Sequence, residues 1–463
     1  MPPPKRRKSG AISPARRAAF DVLLAVERGP GHSDELLRGS AMDALAQADR
    51  NLATALVLGV LRWQISLDER IRPLLKRPGA RLDAEVLIAL RMGAFQLLYL
   101  DRIPAHAAID ESVELAKRAG HRFAAGMVNA VLRSLARGVA ARDGEDLRVL
   151  EEDFAAAHPA WMVQRWERSF GAEAACAICR HGQQAPRIAV RLKDAQTEEE
   201  LAAAGVRLEP GALLLSARIV TAGDVTATAA FREGRVRIQD EGSQLIGEIA
   251  ACAGGASGRR AEQILDLCAA PGGKTLVLAE RNPEARIVAC EASPARLAAL
   301  RERLATLESR VEYRLADAAS FDESGKFDLA LADVPCSGTG TLGRNPEIRH
   351  RLREQDFSRQ AERQRSILRA ALRAVREGGR VVYSTCSLEP EENEQVVHAG
   401  LAENAARIIP VHECIEMLER TGVLLASAAE RLRSCITPQG ALRLMPGTFG
   451  TDGFYVGIIE RTA

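Results

Sequence analysis

The sequence predicts an α/β protein whose main part is a doubly wound, Rossmann-like parallel sheet, preceded by an all-α bundle and a small α+β module. Three observations support this prediction. Apolar residues recur at helical spacing from Pro14 to about Arg137. Beyond residue 235, short apolar strands alternate with helical stretches, which is the pattern of a parallel sheet. The chain has 463 residues, enough for about three domains.

Composition excludes several classes of protein. The chain is 47% hydrophobic and 27% charged, which is typical of a globular protein with a sizeable core. The basic N-terminus is not followed by an apolar stretch, so it does not read as a secretory signal. The longest apolar run, EVLIALRMGAFQLLYL, contains Arg91 and is too short to span a bilayer. The nine cysteines therefore indicate free thiols, and we expect a cytoplasmic protein.

The first 138 residues divide into a basic flexible tail at 1–13 and a helical bundle at 14–138. The bundle begins with ARRAAFDVLLAVERG and continues with DRNLATALVLGVLRWQ and DERIRPLLKR, predicted as separate helices. The net charge of the whole chain, +2, is near balance and says little about its partners. Two hypotheses fit equally well: a structural module, or an RNA-binding module that uses Arg16 and Arg17.

The middle of the chain predicts a polar linker and then a small α+β module at 147–235. The stretch PAWMVQRWERSFG predicts a helix, and the runs RIAVRL and ALLLSA predict strands. Cys176, Cys179 and His181 in CAICRH imitate half of a zinc site. No second pair of ligands completes it, so we expect core packing and no metal.

Residues 236–463 predict the parallel sheet. Its strands are QILDL, RIVAC, VEYRL, FDLALAD and RVVYST, with helices between most of them. The closing runs ALRLM and GFYVGII predict a hairpin added to the edge of this sheet.

The turn CAAPGGKT after the first strand has two interpretations. A phosphate-binding P-loop requires glycine at position 268, where the chain has Cys268. A turn for an adenosine-containing cofactor requires small residues at a helix N-terminus and an acid after the next strand. Glu291 lies 18 residues beyond Gly273 and meets that requirement, and Asp317 and Asp333 follow later strands. The sequence favours the adenosine cofactor.

Two cysteines follow strands of the same predicted sheet, in ADVPCSGTG and YSTCSLEPEENE. Cys336 and Cys386 lie in turns rich in small residues, unlike a buried structural cysteine. Two thiols and Asp333 beside an adenosine pocket suit methylation at C5 of cytosine. A thiolate that adds to C6 makes C5 nucleophilic, and a carboxyl group at N3 stabilises the adduct.

The motifs also carry a resemblance to a known family. IQDEGSQL, DLCAAPGGKT, DVPCSGTGTLGRNPEIR and YSTCSLEPEENE resemble, in order and spacing, the motifs of RNA 5-methylcytosine methyltransferases. The helical bundle resembles the NusB-like RNA-binding domain. Together they are similar to the RsmB/Sun (Fmu) family of 16S rRNA (cytosine-C5)-methyltransferases, over nearly the whole chain from Pro14.

The resemblance implies a reaction, a cofactor and a partner. It implies an S-adenosyl-L-methionine-dependent methyltransferase domain that acts on 16S rRNA, at cytosine 967, through a covalent cysteine–C6 adduct. The rRNA would be met before or during small-subunit assembly, by a monomer that needs neither a metal nor a membrane.

The resemblance also implies roles for single residues. Glu291 would contact the ribose, Asp317 would lie near the adenine, and Asp333 would lie at the site of chemistry. Cys386 corresponds to the nucleophile, and Cys336 to the residue that helps release the product. DNA enzymes use the Pro-Cys thiol as the attacker, so an exchange of these roles stays open. The cofactor turn comprises Cys268, Ala269, Ala270, Pro271, Gly272, Gly273 and Lys274.

Alternatives and departures remain. The same chemistry could act on another rRNA site or on a tRNA, and a non-catalytic RNA-binding assembly factor could keep the fold. The family's RRHPDIKW reads GRNPEIRH here, with Arg349 and His350 in place of lysine and tryptophan. We expect these two positions to shape the RNA groove.

Overall fold

The protein is described by a computed structural model that covers residues 12–29, 31–140, 151–254, 260–307 and 309–463. Its internal contacts divide the chain into two compact units. Unit 1 comprises Met1–Ala185 and Leu342–Arg351, and unit 2 comprises Pro186–Thr341 and Leu352–Ala463. The basic tail up to residue 11 and most of the predicted linker lie outside the described residues. The domain boundaries drawn from the sequence stay a prediction, and the division at Ala185 falls within the predicted α+β module.

Unit 1 is helical, as predicted. The two helices predicted between Asp49 and Arg77 are instead a single 25-residue helix, α4, that ends just before Pro73. The helices are α1 (Pro14–Arg28), α2 (Ser33–Leu37), α3 (Ser40–Asp43), α4 (Gln47–Ile71), α5 (Ala84–Tyr99), α6 (Ala105–Arg118), α7 (Ala125–Ala140), α8 (Glu151–Ala156), α9 (Ala160–Phe170) and α10 (Ala172–Gln183).

The core of unit 1 forms where α1, α4, α5 and α7 meet. Helix α5 carries the long apolar run, and its Arg91 makes a two-point ion pair with Asp68 at 2.8 and 2.7 Å. Gly59 in α4 allows the ring of Phe95 to approach, because a Cβ there would lie 2.0 Å from that ring. Within the described residues, no helix is long and apolar enough to cross a membrane.

Arg16 belongs to this core. It is 6% exposed and donates hydrogen bonds to Gln96 at 2.7 Å, Glu111 at 3.0 Å and Ser13 at 3.1 Å. The hypothesis that Arg16 contacts RNA is therefore wrong, whereas Arg17 is exposed. The burial of Arg16 supports a structural role for this residue.

Unit 2 contains two sheets and their covering helices. The four-stranded sheet has the order β2-β3-β1-β4, and the larger one has the order β10-β12-β9-β8-β5-β6-β7 with β11 paired to β12. The strands are β1 (Ile188–Leu192), β2 (Arg207–Pro210), β3 (Ala217–Ala222), β4 (Val236–Ile238), β5 (Gln263–Asp266), β6 (Arg286–Glu291), β7 (Val311–Leu315), β8 (Phe327–Asp333), β9 (Val375–Thr385), β10 (Ala406–Ile409), β11 (Leu442–Leu444) and β12 (Phe454–Arg461).

The remaining helices follow the strands along the chain. All but α16 belong to unit 2. They are α11 (Ala195–Ala203), α12 (Ala229–Arg232), α13 (Glu241–Cys252), α14 (Gly273–Arg281), α15 (Pro294–Arg303), α16 (Ile348–Arg351), α17 (Glu354–Ala374), α18 (Glu394–Glu403), α19 (His412–Arg420) and α20 (Ala428–Arg433).

The large sheet confirms the five predicted parallel strands, and each sheet corrects one detail of the prediction. β9, β8, β5, β6 and β7 pair in parallel, as a doubly wound sheet requires. The predicted hairpin of β11 and β12 is present, but β12 is not an added edge, because it pairs with both β9 and β10. In the small sheet the run ALLLSA is not a strand: its leucines 213 and 214 are buried in the core, and the strands flank it as β2 and β3.

The segment Leu342–Arg351 interrupts unit 2 in the sequence but packs within unit 1. Arg349 is 1% exposed and donates to the carbonyl oxygens of Gly182 at 2.9 Å and Leu342 at 3.3 Å. Glu347 is equally buried and accepts from the backbone amide and hydroxyl of Ser33 at 3.0 and 2.8 Å. Arg349 therefore cannot line an RNA groove, and that expectation is wrong. The side chain satisfies backbone groups instead.

His350 is held in the same segment. Its Nε2 lies 2.7 Å from the carbonyl oxygen of Leu61, the arrangement of an N–H donor and its acceptor. Burial lowers the pKa of His350 to about 4, and the nearby Arg349 charge acts in the same direction. Burial also lowers the pKa of His158, whose Nδ1 lies 2.7 Å from the Phe154 carbonyl oxygen. In the folded unit 1, His350 and His158 are therefore neutral at pH 7.

We predict that unit 1 loses stability as the pH falls from about 6.5 towards 4. The unfolded chain, with a histidine pKa of about 6.5, binds the proton in this window, whereas folded His350 does not. The loss from His350 amounts to at most about 3 kcal/mol. Urea unfolding followed by tryptophan fluorescence measures it, because all three tryptophans lie in unit 1.

The variant His350→Gln keeps a side-chain N–H and removes the titration, so its free energy of unfolding should fall less steeply with pH than that of the wild type. His106→Gln replaces an exposed histidine of unit 1 and should keep the wild-type slope. Parallel slopes for all three proteins would contradict the prediction.

Candidate active site

The predicted site residues follow the carboxyl ends of the five parallel strands. Along the sheet edge, Cys386 follows β9, Asp333 ends β8, Cys268 follows β5, Glu291 ends β6 and Asp317 follows β7. The adjacent strand order places these positions side by side, because neighbouring strands lie about 5 Å apart. Ligands of open α/β sheets bind at this edge. The structure therefore brings the catalytic and cofactor candidates to one edge of unit 2.

The turn from Cys268 to Lys274 leads from β5 into α14. Gly272 has φ +102°, and a Cβ there would lie 2.6 Å from the side chain of Leu300, so the turn needs glycine. Ala269 and Ala270 are buried, and the Ala270–Pro271 peptide bond is cis. Helix α14 begins at Gly273, and the amides of a first helical turn have no partner within the helix. They are donors for a polar ligand at this edge.

Two carboxylates lie farther along the same edge. Glu291 is 5% exposed, and one of its oxygens accepts from the Ser293 amide at 2.9 Å. Asp317 accepts from the Ala319 amide at 3.1 Å. Each carboxylate has further lone pairs that can accept hydrogen bonds from hydroxyl or amino groups. A glycine turn, helix amides and two acids in this order fit an adenosine-containing cofactor.

Lys274 belongs to the centre of the site rather than to the turn alone. Its Nζ donates to Asp333 Oδ2 at 2.7 Å and to the Ser243 hydroxyl at 3.0 Å. The Ser384 hydroxyl donates to the other oxygen of Asp333, also at 2.7 Å. Burial alone would lower the pKa of Lys274, but the carboxylate of Asp333 outweighs burial and the pKa is raised. Lys274 is therefore a fixed positive charge, and a negative charge on Cys386 would raise its pKa further.

The two candidate thiols are in contact. Cys336 Sγ and Cys386 Sγ lie 3.3 Å apart, although the residues are 50 positions apart in the chain. The hydrogen bond with Cys386, followed by burial, holds the pKa of Cys336 well above its usual range. At neutral pH Cys336 is therefore a thiol. The loop that follows Cys336 is joined to Cys386, because the Gly340 amide donates to the Cys386 carbonyl oxygen at 2.9 Å.

Glu392 joins the two cysteine loops and was missed by the sequence analysis. It is fully buried, and its carboxylate accepts from the Ser337 amide at 2.9 Å and from the hydroxyls of Ser337 and Ser387. The Gln364 amide donates to it at 3.0 Å. The signal was the acid-rich EPEENE after the cysteine, since a buried acid requires donors nearby.

Two further cysteines, Cys268 and Cys179, also carry raised pKa values. Burial holds the pKa of Cys268 well above its usual range, so this thiol stays protonated. Cys179 is buried and its pKa is raised to about 12. Among the residues that the structure describes, no cluster of three or more histidine, cysteine or acidic side chains could hold a metal ion. Cys179 in the CAICRH stretch thus packs in the core.

The fold and the site define a methyltransferase domain joined to a NusB-type helical domain. Residues 257–460 match the family described as 16S rRNA methyltransferase RsmB/F, and residues 13–137 match the NusB family. Methyltransferases of this kind use S-adenosyl-L-methionine as methyl donor.

Similar proteins cover almost the whole chain. A protein of Bacillus subtilis (strain 168), called probable ribosomal RNA small subunit methyltransferase B, is 33% identical over 95% of this chain and 97% of its own. The ribosomal RNA small subunit methyltransferase B of Vibrio cholerae is 31% identical over 98% of both chains. The chain belongs to the RsmB/F family of rRNA methyltransferases.

A solved structure has the same fold over nearly the full length. The crystal structure of PH0851 covers 97% of this chain and 99% of its own, with a TM-score of 0.76 and 23% sequence identity. A methyltransferase homologue from Pyrococcus horikoshii covers 67% of this chain and 98% of its own, with a TM-score of 0.53 and 24% identity. These similarities support the fold.

We predict that Cys386→Ala speeds the alkylation of Cys336. The hydrogen bond with Cys386 is the largest cause of the raised pKa, so removing it increases the thiolate fraction of Cys336 at a given pH. The rate of iodoacetamide labelling at about pH 8 should rise at least about threefold. Mass spectrometry of the peptide that carries Cys336 measures this rate, and Cys435 in the same unit serves as internal control. An unchanged Cys336 rate would mean that the thiol contact does not set its pKa.

Proposed function

We propose that this protein transfers a methyl group from S-adenosyl-L-methionine to C5 of a cytosine in 16S rRNA, through a transient covalent bond between Cys386 and C6. One observation carries the proposal: two thiols 3.3 Å apart at the sheet edge where both oxygens of Asp333 are held. Methylation of an oxygen or nitrogen needs no such pair, because those atoms are nucleophilic already. A carbon of cytosine needs activation by a nucleophile.

The cofactor would lie along the edge from the glycine turn to Asp317. The first-turn amides of α14, Glu291 and Asp317 would hold it by hydrogen bonds, with Glu291 at the ribose and Asp317 near the adenine. When bound, S-adenosyl-L-methionine supplies an electrophilic methyl group. The protein's part is to bring the cytosine to it in an activated form.

Cys386 activates the ring by adding its sulfur to C6. The S–C6 bond forms, and the electron pair of the C5–C6 bond makes C5 nucleophilic. The step requires the thiolate form of the cysteine. Cys336 does not compete for C6, because its raised pKa keeps it protonated at neutral pH. The choice of Cys386 as the attacker follows what the family resemblance implies.

Asp333 and Cys336 serve the other steps. Asp333 would accept a hydrogen bond from the exocyclic amine of the cytosine, and the positive charge of Lys274 beside it would offset the negative charge that the ring gathers at N3 on addition. Lys274 and Ser384 fix Asp333 in one orientation, so little reorganisation is needed during the reaction. After methylation the C5 proton leaves to a base, the S–C6 bond breaks and the ring recovers its double bond. Cys336, in contact with Cys386, is positioned to assist this release.

The names of the relatives, which specify small-subunit rRNA, and the 16S rRNA description of the matching family support 16S rRNA as the substrate. The family resemblance implies cytosine 967 as the target and the cytoplasm as the location. Two alternatives are distinguished by experiment: another rRNA or tRNA cytosine, and a non-catalytic RNA-binding assembly factor. A target base must leave its stack to meet a thiol at a sheet edge, so we expect single-stranded or opened RNA.

We predict that Cys336→Ala accumulates an SDS-stable protein–RNA adduct when mixed with S-adenosyl-L-methionine and 16S rRNA fragments. The substitution removes the residue that assists release and leaves the attacking thiol in place. Denaturing gels with labelled RNA measure the adduct, and Cys336→Ala/Cys386→Ala should not form it. If the adduct persists without Cys386, Cys386 is not the attacking thiol and the roles assigned to the two cysteines are wrong. If an adduct forms only with tRNA, the substrate is a tRNA and not 16S rRNA.

We also predict that Lys274→Met lowers the single-turnover rate of methyl transfer at least about 100-fold, because Asp333 and Cys386 lose the same fixed charge. Lys326→Met is the matched control, since Lys326 is an exposed lysine of unit 2. Cofactor affinity is measured on the same proteins by calorimetry. A loss of affinity with an unchanged rate at saturation would restrict Lys274 to cofactor binding.

A further inference from the structure

The turn between α6 and α7 carries an exposed aromatic ring. Phe123 lies in a short 3-10 helix, Arg122–Ala124, and is fully exposed, more so than any other large apolar side chain in the described part of the chain. A single exposed apolar side chain is common on protein surfaces, so the surroundings of this ring decide what it indicates. The arginines of this region, unlike Arg16, remain at the surface.

Positive charge surrounds this ring. Between Glu114 and Arg137 the sequence has five cations and one acid, a net charge of +4 in a chain that totals +2. The acid, Glu114, is paired with Lys117. Lys117, Arg118 and Arg122 line a shallow cleft beside Glu114. The side of this turn that Lys117, Arg118 and Arg122 form is therefore basic, whereas Asp83 and Glu85 lie against His121.

Two of these arginines extend the basic surface along α7. Arg133 and Arg137 are exposed, and so are Gly126 and Ala130. Positions 126, 130, 133 and 137 share one face of a helix, at spacings of three and four. The exposed face of α7 thus begins with small residues next to Phe123 and continues with two guanidinium groups. In the described residues, no ion pair includes Arg118, Arg122, Arg133 or Arg137, so their charges are available.

We propose that Phe123 stacks on an unpaired base of the RNA substrate, while Arg118 and Arg122 bind the adjacent phosphates and α7 guides the strand along its arginine face. An aromatic ring among cations is the arrangement that binds single-stranded RNA, since any base can stack and every phosphate is charged. This inference rests on the proposed function for the identity of the RNA. It assigns a contact surface within unit 1 and no catalytic role.

The test is RNA affinity of the full-length protein, measured by fluorescence anisotropy with labelled 16S rRNA fragments and without methyl donor. Phe123→Ala should weaken binding about tenfold, because stacking of one base is lost. Phe123→Trp should retain wild-type affinity. The exposed Phe123 contributes little to the core, so both variants fold. Leu215→Ala, which removes an exposed apolar side chain of unit 2 outside the large sheet, should leave affinity unchanged.

An abasic scan identifies the stacked base. One or two abasic positions should weaken wild-type binding as much as Phe123→Ala does, and should weaken the Phe123→Ala protein no further. Arg122→Gln should reduce the slope of log affinity against log salt concentration by about one, whereas Phe123→Ala should leave that slope unchanged.

Two results would overturn the inference. If Phe123→Ala binds every rRNA fragment as tightly as the wild type, the ring does not stack on RNA. If affinity falls only for assembled subunit precursors and not for naked rRNA, the ring contacts a ribosomal protein. Both results leave the cysteine adduct of the proposed function untouched, since that adduct is measured separately. Conversely, a missing adduct with intact, ring-dependent RNA binding would refute the proposed reaction alone.

Discussion

The geometry of the site depends on one buried carboxylate. Glu392 binds the loops of both cysteines at once, through Ser337 on one side and Ser387 on the other. The same loops are also joined directly, because the Leu388 amide donates to the Thr339 hydroxyl at 2.9 Å and the Gly340 amide donates to the Cys386 carbonyl oxygen at 2.9 Å. A buried charge is costly unless its donors are fixed, so the protein holds those donors in place. The same rigidity keeps the sulfurs at 3.3 Å.

The sequence predicted the sheet and the positions along its edge, because strand–helix alternation and motifs after strands are local features. Cys268, Glu291, Asp317, Asp333 and Cys386 follow five different strands, and parallel pairing alone brings them together. The sequence did not predict how the centre is connected. The bond from Lys274 to Asp333 spans 59 positions, and nothing in a linear pattern distinguishes it from a lysine that binds cofactor.

The errors have a common physical cause, which is that tertiary contacts override local patterns. The arginine pair at the first helix resembled a nucleic-acid contact, but Arg16 satisfies Glu111 and Gln96 across the bundle. The ALLLSA run has strand-forming residues, but Leu213 and Leu214 fill a core between strands. The strand β10 was not predicted because its four residues are a weak signal, and it forms only by pairing with the C-terminal β12.

The segment Leu342–Arg351 gives the protein an order of assembly during its synthesis. Residues 1–185 of unit 1 leave the ribosome long before this segment, which follows a further 156 residues (341 − 185) of unit 2 sequence. At about 5–20 residues per second, the delay is roughly 8–30 s. Until then the Ser33 amide and the Gly182 carbonyl lack their partners. Unit 1 can complete its packing only after Leu342–Arg351 has been synthesised, and this segment follows Cys336 in the sequence. A fully packed unit 1 therefore means that the chain already contains the first of the two catalytic cysteines.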